Sequence, residues 1–190
     1  MFLKRDNPYL LIVGMTGVKM GDQLVQVGCA HGGRMAAIAG KVGLSGRAVV
    51  VAPDDASAAR ATKGAADAGV LVEVEVSPPT RLPLENDAFD LAVVDDTGGL
   101  LGALRAEDRV ASIRELARVL RPGGRVLIVG AATRGGFGAI VTRATSGPPF
   151  VASGDATQAL EADGFKAVRL LAAREGLAFV EGIKPRPHNG

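Results

Sequence analysis

Short apolar runs rich in valine alternate with alanine-rich stretches along most of the chain, and this rhythm constrains the fold more than any other feature. "QLVQV" (23–27), "RAVVV" (47–51), "VLVEVEV" (70–76), "FDLAVV" (89–94) and "RVLIV" (125–129) have the length and β-branched content of strands. Between them, "MAAIAGKVG" (35–43) and "DASAARATKGAADAG" (55–69) read as helices closed by glycine. Residues 105–120 carry the clearest helical period, with Val110, Ile113, Ala117 and Leu120 on one face. Strand, helix, strand, repeated in this way, predicts an α/β fold: a doubly wound, mostly parallel sheet with helices on both faces. Near-continuous Val/Ile/Leu in the strands fits burial on both sides.

The tail breaks the rhythm. "DATQALEADGF" (155–165) reads as a helix, and "KAVRLLAAREGLAFVEGIK" (166–184) as two strands around "REG", an antiparallel hairpin at one sheet edge. Residues 131–154 are the least patterned stretch and too long for an ordinary connection, so they are expected to form a substrate-side loop. No linker divides the chain, and residues 1–190 are read as one domain with an N-terminal segment at 1–20.

Composition narrows the partners. The formal charge of +2 gives no electrostatic case for nucleic acid, and six Phe, one Tyr and no Trp leave few stacking platforms. No apolar run is long enough to span a bilayer, and the opening "MFLKRDNPYLLIVGMTG" does not read as a signal peptide. A cytoplasmic location is the default expectation. The single cysteine, Cys29, excludes an internal disulfide, and no Cys/His/carboxylate group has metal-ligand spacing; His188 stands in the polar tail.

The chemistry concentrates where the first strand gives way to the first helix, in "QLVQVGCAHGG" (23–33). Gly28, Ala30, Gly32 and Gly33 are small enough for a backbone to approach a ligand closely, and a helix N-terminus adds unpaired N–H groups. The same spacing also serves a tight turn with no ligand. Asp95 and Asp96 end the fourth strand, at the carboxyl edge where doubly wound folds bind ligands. Either acts as a base or substrate contact, or both cap the turn "DDTGG". His31 either meets a ligand or is solvated, and Cys29 reads as packing.

Three blocks carry a family resemblance. "MTGVKMGDQLVQVGCAHGG" (15–33), "LPLENDAFDLAVV" (82–94) and "IRELARVLRPGGRVLIVG" (113–130) resemble, in order and spacing, class I S-adenosylmethionine-dependent methyltransferases of the small-molecule, quinone-biosynthesis-like subgroup. The resemblance implies a seven-stranded Rossmann-like sheet whose seventh strand is antiparallel, S-adenosylmethionine as cofactor, and a small-molecule methyl acceptor. It places cofactor contacts at Gln26, Gly28, Cys29, Ala30, His31, Gly32, Ala52, Pro53, Pro78 and Asp95, with Asp95 and Asp96 as the catalytic candidates.

At three of these positions the family's polar anchor is missing. Gln26 stands where an acid orients the methionine amino end. Ala52 stands where an acid takes both ribose hydroxyls, with Asp54 and Asp55 as substitutes if the strand ends later. Pro78 stands where an aspartate meets the adenine amine. A carboxylate anchor of the ribose kind is worth about 1.5–3 kcal/mol per bond, so its loss weakens binding by roughly tenfold or more. Three readings stay open: a small-molecule methyltransferase, a non-catalytic methyltransferase-like module that binds a partner or another ligand, and a nicotinamide-dependent oxidoreductase. The resemblance is compatible with a homo-oligomer or a partner subunit completing the site.

Overall fold

The computed structural model describes residues 8–132 and 149–187. Its seven strands are β1 (Gln23–Val27), β2 (Arg47–Ala52), β3 (Glu73–Val76), β4 (Phe89–Asp96), β5 (Leu120–Ala131), β6 (Lys166–Arg174) and β7 (Leu177–Ile183). They form one sheet in the order β3-β2-β1-β4-β5-β7-β6. β1 through β5 run parallel, while β7 pairs antiparallel with both β5 and β6. The helices are α1 (Leu10–Thr16), α2 (Gly32–Ala39), α3 (Asp55–Ala68), α4 (Ala106–Val119) and α5 (Asp155–Ala162).

Alternation along each strand divides the core in two. Val25, Val49, Val94 and Ile128 point to the face covered by Ile113 and Leu116 of α4 and Leu160 of α5. Leu24, Val50, Val93 and Val129 point to the face covered by Ile12 of α1, Met35 and Ile38 of α2 and Ala61 of α3. Helices on both faces bury the central strands completely, which is why their sequences show so little polar alternation. Gln26 is the buried polar residue of β1: it pairs with Val50 and Val93 and is 3% exposed.

The expected α/β architecture and the C-terminal hairpin stand. Several boundaries move, for identifiable reasons. α2 begins at Gly32 rather than Met35, because the His31 ring caps it: Nδ1 accepts the Arg34 N–H at 3.2 Å. β3 begins at Glu73 rather than Val70, since the Val70 N–H is held by the Ala65 carbonyl at the end of α3 and Leu71 is exposed. The buried stripe of α4 is Ser112, Ile113, Leu116 and Val119; of the expected face, Ile113 and Leu120 are buried and Ala117 packs against the core, while Val110 is exposed. β5 begins at Leu120 rather than Arg125, and "RPGG" forms an irregularity inside it, between the pairings Phe89–Leu120 and Leu91–Arg125.

The N-terminal segment holds a helix that the expectation omitted. α1 ends on Gly17 in the left-handed conformation. The Arg125 guanidinium, from β5, donates to the Thr16 carbonyl and also meets Glu181 of β7, itself paired with Arg169 of β6. Most of the expected substrate-side loop, residues 133–148, lies outside the described residues, as does His188. Among the described residues, no helix is long and apolar enough to cross a membrane.

Candidate functional site

The residues singled out from the sequence lie at the carboxyl ends of β1, β2 and β4, with Pro78 just beyond β3. The Gln26 amide donates from Nε2 to the Gly28 carbonyl at 2.9 Å. That bond fixes the amide's orientation, since only the NH₂ group can donate. It leaves Gln26 Oε1 buried and without a partner.

Gly28 turns the chain off the strand with φ +82°, and its N–H bonds the Val51 carbonyl at 2.9 Å. A Cβ at this position would stand 2.7 Å from a Leu100 methyl carbon and 3.1 Å from the Asp95 carbonyl oxygen. The space beside this glycine is therefore taken by the protein. Gly32 is equally committed: a Cβ there would meet the Arg60 carbonyl oxygen at 2.5 Å. These two glycines serve close packing inside the molecule, and Ala30 and His31 are the exposed part of the loop.

α3 holds the loop from one side. The Cys29 N–H donates to Ser57 Oγ at 3.1 Å, and the Cys29 carbonyl accepts from Arg60 Nε at 2.9 Å. The Cys29 thiol is 2% exposed, and burial above all, with the nearby Asp95 charge, pushes it up to about 11. It is packing, as its sequence context indicated.

β4 holds the loop from the other side. Asp95 Oδ2 accepts the Ala30 N–H at 2.9 Å, while Oδ1 accepts the Thr97 hydroxyl at 2.5 Å and the Thr97 N–H at 3.2 Å. Arg34 donates from Nη2 to Thr97 Oγ1 at 2.7 Å and lies 3.9 Å from Asp95 Oδ1. Its Nε is buried and unpartnered. Asp95 is thus a latch between β4 and the loop.

Asp96 has a different environment. Its Oδ1 accepts the N–H groups of Leu101 and Gly102 at 2.6 and 3.2 Å. Burial raises its carboxyl above the ordinary range despite those bonds. Arg109 braces the following turn by donating to the carbonyls of Leu101, Gly102 and Leu104, with its guanidinium 4.8 Å from the centre of the Phe150 ring.

The end of β2 presents no acid. Ala52 is wholly buried, and its carbonyl accepts the Ser77 N–H at 2.9 Å. Pro53 follows, partly exposed, and Asp54 caps α3, with Oδ1 accepting the Ser57 N–H at 2.7 Å. β2 does not end later, so neither Asp54 nor Asp55 moves onto the strand end. Pro78 is exposed on a turn in which its carbonyl accepts the Arg81 N–H and Ser77 Oγ donates to the Arg81 carbonyl.

The structure gathers Gln26, Gly28, Ala30 and Asp95 around one loop, through the Gln26–Gly28 and Ala30–Asp95 hydrogen bonds, and it adds Arg34, Ser57, Arg60, Thr97 and Leu100. Arg34 carried a sequence signal, as the first charged residue after the glycine loop. Ser57 and Arg60 carried none, because their partner, the Cys29 backbone in the β1–α2 loop, is about thirty residues away in sequence.

Residues 24–124 match the methyltransferase domain family. The chain is 28% identical over 130 residues to the methyltransferase GfsG of Streptomyces halstedii, covering 68% of this chain and 45% of that protein. It is 26% identical over 119 residues to the ubiquinone/menaquinone biosynthesis C-methyltransferase UbiE of Idiomarina loihiensis, covering 62% and 45%. The chain spans a little under half the length of these curated relatives. A SAM-dependent methyltransferase from Aquifex aeolicus superimposes with a TM-score of 0.72 at 19% identity, over 91% of this chain and 87% of that one, a likeness of fold.

Proposed function

The chain belongs to the methyltransferase domain family, and from that premise we propose that it is an S-adenosylmethionine-dependent methyltransferase acting on a small molecule. One observation carries the reading. The loop between β1 and α2 exposes Ala30 in front of a helix N-terminus, and two buried polar atoms without partners, Gln26 Oε1 and Arg34 Nε, sit on the residues that brace it. The unmatched acceptor, on the residue that enters this loop from β1, suits the ammonium of the cofactor's methionine end. The ribose finds no carboxylate at Ala52, so this fit is stronger at one end of the cofactor than at the other.

When bound, S-adenosylmethionine supplies an activated methyl carbon on its sulfonium. The work left to the chain is alignment and exclusion of water. Leu100, lying over Gly28, gives the strand-end crevice an apolar wall. Asp96 suits the acceptor side, because its buried carboxyl holds a proton more readily than an exposed one. In this role it takes the proton of the acceptor's hydroxyl or acidic carbon, while Asp95 keeps the loop in place. The name of one curated relative, a ubiquinone/menaquinone biosynthesis C-methyltransferase, supports a small acceptor.

Calorimetry with S-adenosylmethionine and S-adenosylhomocysteine tests the reading. Binding with a Kd of about 1–100 μM is expected, weaker than a site with the ribose carboxylate would give. Folded protein that shows no heat at millimolar ligand overturns it and leaves the non-catalytic module standing.

A further inference from the structure

We propose that Arg109 is a positioning residue for Asp96, acting through the turn at Leu101–Leu104 that both side chains grip. The proposal deepens the reading of Asp96 as the acceptor-side base and rests on it.

The two oxygens of Asp96 have unlike surroundings. Oδ1 is spent on the Leu101 and Gly102 N–H groups, at 2.6 and 3.2 Å. Oδ2 accepts no hydrogen bond among the described residues, so it is the oxygen left to work on an acceptor. Its direction follows from the two bonds at Oδ1, because both oxygens belong to one rigid carboxylate. Those bonds are only as fixed as the turn that donates them, and Arg109 fixes the turn. From the first turn of α4 its Nε donates to the Leu101 carbonyl at 3.1 Å, and its Nη2 to the carbonyls of Gly102 and Leu104 at 3.2 and 2.9 Å. Leu101 and Gly102 are therefore held at both ends, N–H to Asp96 and carbonyl to Arg109.

Arg109 is itself held. Its guanidinium lies 4.8 Å from the centre of the buried Phe150 ring, a cation–π contact. Phe150 also backs the turn: a Cβ on Gly102 would stand 3.3 Å from the Phe150 Cβ and 3.8 Å from Asp96 Oδ2. The planar fork spans carbonyls that a single ammonium cannot match in the same geometry. The charged groups that act on Asp96 are Asp95, beside it on β4, which opposes its ionised form, and Arg109, which favours it. Removing Arg109 takes away a cation and loosens two donors, and both changes favour the protonated carboxyl.

Two NMR readouts on the full chain test this, with neither cofactor nor acceptor added. The Asp96 carboxyl is titrated by its carbon-13 shift, and the Leu101 and Gly102 amide protons report its ionisation through their hydrogen bonds. In Arg109→Met, Asp96 is expected to titrate about one pH unit higher than in the parent, and the two amide protons to lose their response. An unchanged Asp96 midpoint overturns the inference. So does a raised midpoint with the amide response intact, which would mean a charge effect across space and no positioning of the turn. Arg109→Lys keeps the charge but not the fork, and is expected to weaken the amide response as well; a lysine variant with the parent's response overturns the inference too. Should Arg109→Met not fold, the lysine variant decides alone. Failure of the base reading is a separate outcome: it shows as turnover that survives Asp96→Asn, while the coupling between Arg109 and Asp96 is read without turnover.

Discussion

Gly32 and Gly64 meet backbone against backbone where α2 crosses α3: a Cβ on Gly64 would stand 2.5 Å from the carbonyl carbon and oxygen of Gly32. In an exposed helix interior, exchanging glycine for alanine gains about 1 kcal/mol. At this crossing the gain is reversed. Gly64→Ala is expected to destabilise the protein by about 1–3 kcal/mol, since neither backbone can yield without moving a helix. Thermal denaturation would register about 3 °C per kcal/mol in a domain of this size. A variant as stable as the parent contradicts the crossing.

Cys29 should be inert in the folded protein. With its thiol pushed up to about 11, only about one molecule in a thousand carries a thiolate at pH 8. Titration with a thiol reagent is expected to show no rapid reaction until denaturant is added. The same shift sets a sign for stability. The thiol of the unfolded chain loses its proton near its ordinary value of 9.0, while the folded one retains it until about 11. Through that window the unfolded state binds fewer protons, so stability falls as pH rises, by at most about 1.4 kcal/mol per pH unit. Cys29→Ser should lack this alkaline component.

Asp96→Asn separates stability from activity. The amide keeps an oxygen for the Leu101 and Gly102 N–H groups and removes a carboxylate that burial disfavours. The variant is expected to be more stable than the parent at pH 7. That advantage shrinks as pH falls through the raised folded value toward the ordinary 3.8, because the parent then also becomes neutral. Methyl transfer, if Asp96 is the base, drops by about 10²–10⁴ in kcat. Urea titrations at neutral and acid pH, with a turnover assay, check both halves.

Ala52→Asp places a carboxylate at the end of β2. Ala52 is wholly buried, so the ligand-free variant is expected to lose about 3 kcal/mol for an unpaired charge. S-adenosylhomocysteine should bind roughly tenfold more tightly, and its 2′-deoxy analogue should lose that gain. Melting curves with and without ligand would show a larger ligand-induced rise in the variant. No gain in affinity means that Ala52 does not face the ribose.

The sheet was legible because strands buried on two faces leave long valine runs, and because the hairpin at 166–184 repeats β signals around a glycine turn. Helix starts were less so: His31 is not a residue type that announces an N-cap, yet its ring does the capping. The core face of α4 was legible from Ile113, Ala117 and Leu120; Val110 shares their spacing but faces outward. The loop's position was legible from its glycines, but their purpose was not. A sequence shows that Gly28 and Gly32 are small; only coordinates show that Leu100 and the Arg60 carbonyl fill the space beside them. Asp95 and Asp96 look alike as neighbours, and strand alternation sends one to the loop and the other to the turn at Leu101.

The order of the last strands governs how the chain can be made. β7, not β6, lies beside β5, although β6 emerges from the ribosome first. Until residues as far as Ile183 have been synthesised, the outer edge of β5 has no permanent neighbour, and β6 has nothing to join. A nascent chain stalled in this interval displays an open sheet edge of valine, leucine and isoleucine, the form in which it would be most exposed to aggregation and most in need of a chaperone.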